Sequence, residues 1–441
     1  MKKIVLSLFV FAISANIVAA DHVMAATKRA PEKEVPATLN LSLQEAQDYA
    51  VAENRSLRNA DLAVQKAYAT RWQTIASMLP SVDMSWAYQS MMGYKMNFGT
   101  MPIDMPDNGT FGITASVGIN GQAIVGALLN NTAIEMQKLN LEISEDNLRA
   151  NVKSSYASVL VLEDVVKLLD NSLKNIEHLA AMTQRSVEVG AAEQTTADQI
   201  LVRVNTLKNN INANKRSTQL ALNALKVLLN VPAETELTLT TQLTDMLSAE
   251  AILTLLGQDF VLENNLSYQT LAKNVELAKK NVHMAGWAYG PTIGVGYQYS
   301  EKDYFGKKEG FNMTPPNVLS IQVSMPLWSS GKRAAGVVEK KIALEEARNT
   351  FEETSDNLGI QNEQLRYNLQ NAFETYTNEQ ENMSVTQRVF DNTSLKFQQG
   401  VASNLDLVNA SNDLITAQST YVQAVLTLVN AEVELEKFLN L

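Results

Sequence analysis

One structural unit occurs twice in this chain, and that duplication limits the folds open to it more than any other feature. Asn54-Arg55-Ser56-Leu57 matches Asn265-Leu266-Ser267-Tyr268, 211 positions later. Leu79-Pro80-Ser81-Val82 matches Gly290-Pro291-Thr292-Ile293, and Tyr156 matches Tyr367, at the same offset. Gly121 matches Gly331, and Gly190 matches Gly400, at 210. A fixed offset between like landmarks marks internal repetition. Residues 39–245 and 250–441 read as the two copies, joined around Val231–Gln258.

Each copy reads helix, strand, strand, long helix, turn, helix. Residues 127–189 contain neither Gly nor Pro, and residues 337–399 contain no Pro and only Gly359, where a bend is expected. Each run is 63 residues long, roughly 95 Å if helical throughout. Both are polar and charged and must stand in water. Leu148, Val152, Ser155, Val159, Leu162, Val166, Leu169, Leu173, Ile176 and Ala180 step by four and three. Leu407, Ala410, Leu414, Ala417, Tyr421, Ala424, Leu428, Ala431, Leu435 and Phe438 do likewise. Such a heptad seam predicts left-handed coiled-coil packing. Shorter helices at 193–229 and 55–79 end at Pro232 and Pro80, and those at 403–439 and 266–290 repeat them. Their lengths sum to match each long helix, which predicts two short helices stacked alongside it.

Between the helices, four segments alternate with period two. The strands are expected at about 81–97, 109–120, 291–301 and 318–328. Val82, Met84, Trp86 and Tyr88 share one face of the first, and Ile113 and Val117 one face of the second. Val295 and Tyr297, then Ile321 and Val323, do so in the third and fourth. The intervening residues are small or polar. This is the pattern of a barrel with lipid outside and water inside. A soluble sheet would need a second apolar layer, which four short strands do not supply, and four strands cannot enclose a lumen. Several chains must each contribute four strands: two would give eight and three would give twelve. The polar loops Asn97–Asn108 and Glu301–Asn317 would face outward.

Composition narrows the function classes. Lys2, Lys3 and the apolar run Ile4–Ile13, then Val18-Ala19-Ala20, read as a signal peptide over residues 1–20, or 1–26 if cleavage follows Ala26. No later run of eighteen apolar residues occurs, so a membrane crossing would have to be a β-barrel. The chain has no cysteine, which excludes disulfides, thiolate metal sites and a lipidated N-terminal Cys. The formal charge is −11, about −13 without Lys2 and Lys3, with no basic stripe, a poor match to nucleic acid. No P-loop, G-x-S-x-G or H-E-x-x-H motif is present, so no catalytic constellation and no cofactor is expected.

Several marks, in this order and duplicated, resemble the TolC-like outer membrane efflux family over nearly the whole mature chain. They are the A-x-x-x-A-x-x-x-N segment of Ala46, Ala50 and Asn54, the prolines Pro80 and Pro291, Met325-Pro326-Leu327-Trp328-Ser329-Ser330-Gly331, and the turn glycines Gly190 and Gly400. The resemblance implies a mainly α chain with transmembrane β, in which a homotrimer closes a twelve-stranded barrel above a coiled-coil tunnel. It implies an outer-membrane location extending into the periplasm, contact with outer-membrane lipid, and a passive exit duct for efflux or type I secretion. It also implies a periplasmic adaptor and an inner-membrane transporter as partners. The first copy departs from the pattern, with Ala115-Ser116-Val117 where the second has Met325-Pro326-Leu327. A reading of another class is a secreted periplasmic coiled-coil spacer, which would fractionate as a soluble protein.

The tip turns Gly190-Ala191 and Gly400-Val401 are the candidate adaptor-docking points, and equally plain helix-ending glycines. The resemblance implies an acidic periplasmic aperture six and nine residues after the second turn glycine. Those positions hold Asp406 and Asn409, with Thr196 at the equivalent place in the first copy and Asp198 nearby. A ring of Asp406 carboxylates would favour cations, while an acid in a first helical turn is also favoured by the macrodipole. Met78, Met84, Met91, Met92, Met96, Met101 and Met105 cluster around the first strand and loop. They read as adaptable apolar filler or as soft ligands for Cu(I), although the three histidines, His22, His178 and His283, show no metal spacing. Trp86, Tyr88, Tyr94, Tyr297, Tyr299 and Trp328 read as interfacial girdles or as ordinary cross-strand packing.

Overall fold

The computed structural model describes residues 37–99, 101–190, 192–305 and 315–440. The expected signal peptide and Ala191 lie outside the described residues. The chain divides into two compact units. One comprises Leu62–Lys138 with Thr270–Phe351. The other comprises the described residues of Glu32–Asp61, Leu139–Gln269 and Glu352–Leu441.

The first unit is organised by a four-stranded sheet. Strands β2 (Ser81–Gln89), β5 (Asn108–Asn120), β7 (Thr292–Tyr304) and β8 (Asn317–Ser324) lie in the order β2-β5-β7-β8, every pair antiparallel. The centre of the sheet joins strands from the two sequence copies. The expected strand at 81–97 is shorter than its alternation suggested. It ends at Gln89, and β3 (Lys95–Phe98) pairs with β4 (Met101–Asp104) as a separate hairpin. Met92 and Gly93 adopt positive φ of 48° and 75°, which turns the chain out of the sheet. Part of the supposedly irregular loop 97–108 is therefore strand. The strand expected at 318–328 likewise stops at Ser324, before Pro326, whose missing N–H cannot extend a ladder.

The long helices start earlier than expected. The sequence suggested 127–189 and 337–399. The structure gives α3 as Gly121–Glu188 and α8 as Lys332–Gln398. In α3 the helix begins directly at the end of β5, where Asn120 Oδ1 accepts the Ala123 backbone N–H at 2.7 Å. Gly359 does not interrupt α8, because one glycine costs a helix only about 1 kcal/mol against the rest of a 67-residue element.

In the second unit the later parts of the long helices pack with α4 (Gln194–Leu229) and α9 (Asn404–Leu439). Leu148, Val152, Val159, Leu169 and Ile176 of the expected seam are buried. Tyr156, Ser172 and Leu179 are buried where Ser155, Leu173 and Ala180 were expected. Helix α4 ends with Asn230 and α9 with Asn440, both left-handed caps. The linking stretch and the start of the first copy build a small addition that the heptads did not announce. Strand β1 (Thr38–Leu41) pairs in parallel with β6 (Glu236–Leu239). Helix α1 (Leu43–Glu53) follows, opened by a Ser42–Glu45 capping box. Ala46 and Ala50 lie on its buried face, small enough to share a core with Val152, Tyr156, Leu225 and Leu229. The Tyr156 hydroxyl donates to the Leu41 carbonyl at 3.0 Å and accepts the Thr241 N–H at 3.1 Å, fastening the end of β1 and the segment after β6 to α3.

Candidate functional site

The sheet presents two chemically different faces. Residues paired across an antiparallel ladder point the same way, and successive residues alternate. Register pairs Val82 with Ala115, Ala115 with Tyr297, and Tyr297 with Leu319. It pairs Met84 with Ile113, and Val117 with Val295 and then Ile321. Val82, Met84, Trp86, Tyr88, Ile113, Val117, Val295, Tyr297, Ile321 and Val323 therefore all lie on one face. The opposite face carries Ser81, Asp83 and Ser85, then Thr114 and Ser116, Gln298, and Ser320 and Gln322.

Among the described residues nothing covers the apolar face. Met84 is 69% exposed, Trp86 68% and Ile321 70%. Leaving one large apolar side chain in water forgoes about 1.5–3 kcal/mol, so a continuous face of this kind calls for a non-aqueous neighbour. Among the described residues no helix is long and apolar enough to cross a membrane. Among the described residues, β2 and β8 each have one unpaired edge. Because β2 and β8 run in opposite directions, β8 of one copy could continue an antiparallel ladder onto β2 of the next.

At the sheet's loop end, Asp107 anchors the chain that leaves β2. Its carboxylate accepts from Ser90 Oγ at 2.8 Å, the Met91 N–H at 2.9 Å and the Tyr88 hydroxyl at 3.0 Å. Phe305 packs on Gly109 and beside Tyr88. At the other end of the strands, Trp287 lies against Gly121, where β5 becomes α3. A Cβ at Gly121 would stand 2.1 Å from the indole.

The second unit contains the two tip turns. Gly190 and Gly400 have φ of 73° and 75°, the left-handed region in which glycine carries no steric cost. The Gly190 N–H donates to the Val187 carbonyl at 2.9 Å, and the Val401 N–H to the Lys396 carbonyl at 2.8 Å. Val189 and Val401 are 79% and 74% exposed. After the second turn, Ser403 and Asp406 form a capping box. The Asp406 carboxylate accepts from Ser403 N at 2.9 Å and Oγ at 2.7 Å, and Ser403 Oγ accepts from Asp406 N at 3.1 Å. Those hydrogen bonds hold the Asp406 carboxyl below its ordinary value of 3.8. Asp406 and Asn409 are both exposed, one helical turn apart. In the first copy Thr196 is half-buried, and exposed Asp198 accepts from Gln194 at 2.9 Å. Asn404 donates to the Gln199 side chain, joining the starts of α9 and α4. Sequence reading missed this pair because two polar residues 205 positions apart carry no periodic signal. Among the described residues no cluster of His, Asp and Glu has metal-binding spacing.

Comparisons with known proteins point to one family. The profile of a family described as outer membrane efflux protein matches residues 47–231 and 259–441. The outer membrane efflux protein BepC of Brucella suis is 23% identical over 301 residues, which is 66% of this chain. The chain spans 63% of that relative's length. The probable efflux pump outer membrane protein TtgC of Pseudomonas putida is 23% identical over 428 residues, 90% of this chain and 83% of the relative. Among solved structures, CusC superposes with a TM-score of 0.75 at 16% identity, covering 94% of this chain and 95% of its own.

Proposed function

The chain belongs to the outer membrane efflux protein family, and from that premise we propose that it is a passive exit duct through the outer membrane, serving a tripartite efflux or type I secretion assembly. The observation that carries this reading is the four-stranded sheet, which among the described residues has one uncovered apolar face, one polar face and two free edges. Lipid would meet the apolar face and water the polar one. Four strands cannot enclose a lumen, so closure requires further copies. A homotrimer would give twelve strands and use every β2 and β8 edge, leaving none to aggregate.

The partners follow from the same reading. Gly190 and Gly400 present exposed Val189 and Val401 at the ends of two helical hairpins, an apolar pair suited to a periplasmic adaptor. Asp406 would set the charge of the periplasmic aperture, with Asn409 adding no second acid and Thr196 and Asp198 in the first copy. Energy would come from an inner-membrane transporter linked through the adaptor. The spacer reading has no support from the family assignment, and it leaves the uncovered sheet face without a partner.

Electron microscopy of the protein extracted from outer membranes tests the proposal. A threefold particle with a short barrel is expected. Recovery as a soluble monomer would overturn it.

A further inference from the structure

The sheet order decides which helices of the first unit meet beneath it. Strand β5 runs into α3, and α7 (Leu266–Gly286) precedes β7. Since β5 and β7 are paired, α3 and α7 come together within the chain. Their contact is polar. Lys273 Nζ lies 2.6 Å from the Glu135 carboxylate. Buried Thr132 donates to Glu276 Oε1 at 3.2 Å and accepts from Lys280 Nζ at 2.6 Å. The helices next to the free sheet edges are the counterparts of these two: α2 (Arg55–Ala76) precedes β2, and α8 follows β8. The offset of 211 that relates Pro80 to Pro291 places Leu62, Gln65 and Ala69 where α7 has Lys273, Glu276 and Lys280. The offset of 210 that relates Gly121 to Gly331 places Ile342 and Glu345 where α3 has Thr132 and Glu135. That offset holds along both unbroken helices, because Leu148 and Leu358 are buried alike, as are Val159 and Leu369. Among the described residues, however, Leu62 is 43% exposed and Ile342 55%.

We infer that α8 of one copy packs against α2 of the next in the register that α3 and α7 keep within one chain, bringing Ile342 and Glu345 onto Leu62, Gln65 and Ala69. Resting on the reading that copies join β8 to β2, this helical seam lies beneath that join. A β8–β2 ladder puts α8 and α2 in the relation that the β5–β7 ladder gives α3 and α7. The occupant of the exposed apolar positions is therefore a second copy, and a contact between unlike surfaces repeats around a ring. The two seams differ in chemistry. Glu135, Lys273, Glu276 and Lys280 within the chain give way to Leu62, Gln65 and Ala69 between copies, with Glu345 alone retaining a charge. The chain itself holds α3 beside α7, whereas separate copies need a favourable association free energy, which burial of apolar surface supplies. The junction with the sheet shows the same exchange. Trp287 lies against Gly121, but the counterparts are Ala76 and Gly331, and a Cβ on Gly331 would meet nothing within 4 Å. Trp328, 86% exposed, stands where the first copy has Gly118. An indole thus enters the junction between copies from the α8 side instead.

The chain has no cysteine, so introduced pairs report proximity directly. Leu62→Cys with Glu345→Cys, in the full-length protein purified in detergent and treated with a short bis-maleimide, is expected to give covalent dimers and trimers on denaturing gels. Glu135→Cys with Lys273→Cys occupies the matching positions within one chain and should cross-link at monomer size. A second measurement uses charge alone. Leu62→Lys faces Glu345 and rebuilds the Lys273–Glu135 pair between copies, whereas Leu62→Glu sets two carboxylates together. The Glu variant should release monomers at a lower temperature than the Lys variant. Absence of any product between chains, in particles that electron microscopy shows to be threefold, would overturn the α8–α2 seam and leave the duct reading standing. Equal release of monomers by the Lys and Glu variants would do the same. Recovery of the unmodified protein as a soluble monomer would overturn both.

Discussion

Asn54 and Asn265, 211 positions apart, each clamp the end of one helix to the start of another. The Asn54 amide donates to the Leu228 carbonyl at 2.8 Å, and its Oδ1 accepts from the N–H groups of Ser56 and Leu57. The Asn265 amide donates to the Phe438 carbonyl at 3.0 Å, and its Oδ1 accepts from Ser267 and Tyr268. One side chain thus caps a helix N-terminus and satisfies a carbonyl in the last turn of a neighbouring helix. Asn230 and Asn440 return the contact, donating to the carbonyls of Glu53 and Asn264.

Asn54→Ala or Asn265→Ala will lower stability by about 1–2 kcal/mol each, through the lost cap and the stranded carbonyl. Asp should recover the cap but not the donated bond, and so restore only part of the loss. Urea unfolding of the purified protein reads both changes. Equal stability of the Ala and Asp variants would show that the cap contributes nothing.

Lys153 lies between two carboxylates, 2.8 Å from Glu432 and 2.7 Å from Glu436. Burial works against its charge, and the two acids outweigh that, so its pKa is raised. Glu432 shares the single cation with Glu436. Burial therefore pushes its carboxyl above the ordinary 4.5, and Lys153 only partly offsets the push. Lys153→Met leaves Glu432 buried without a cation and will cost about 3 kcal/mol near neutral pH. A carboxyl raised in the folded state favours folding below its unfolded value, and that advantage is lost as pH rises through the folded value. The variant's deficit will therefore shrink as pH is lowered toward 4.5 and widen above it. A deficit independent of pH in unfolding curves would contradict this account.

Asp406 is expected to have two separable effects. Asp406→Asn removes the charge and keeps a side chain able to cap, whereas Asp406→Ala removes both. In planar bilayers both variants will show weaker block by multivalent cations. Only the Ala variant will also loosen the start of α9, seen as faster amide exchange around Ser403–Leu407. Because the carboxyl is held below 3.8, its contribution is present above that value and disappears as pH falls through the lowered one. Unchanged block in both variants would leave Asp406 as a cap alone.

Gly121→Ala will disturb the junction of β5 with α3, since the new Cβ would stand 2.1 Å from the Trp287 ring. The indole must move, and an overpacked site of this kind costs about 1–3 kcal/mol. Trp287→Leu in the same chain should recover much of the loss by vacating the space. The temperature at which the purified assembly dissociates checks this. A double variant no better than Gly121→Ala would place the defect elsewhere.

Much of this protein was legible as sequence because its elements are long and periodic. The ten apolar positions of the strands need only the period of two to fall on one face, and the register places them there. The helical runs need only the absence of Pro. The duplication showed that the unit repeats, though not where the copies differ. Tyr156 and Tyr367 are matched in sequence, yet Tyr156 is fully buried and Tyr367 is 68% exposed. Leu41 at the end of β1 and Thr241 just beyond β6 supply the two backbone groups that bond the Tyr156 hydroxyl, and they lie near the two ends of the first copy. Only the tertiary structure decides such a contact, because a parallel pair 198 residues apart leaves no local periodicity. It also decides which neighbour in a heptad turns inward, as at Ser155 against Tyr156 and Ala417 against Gln418. A helix fixes its own period, whereas its rotation is set by the helices packed against it.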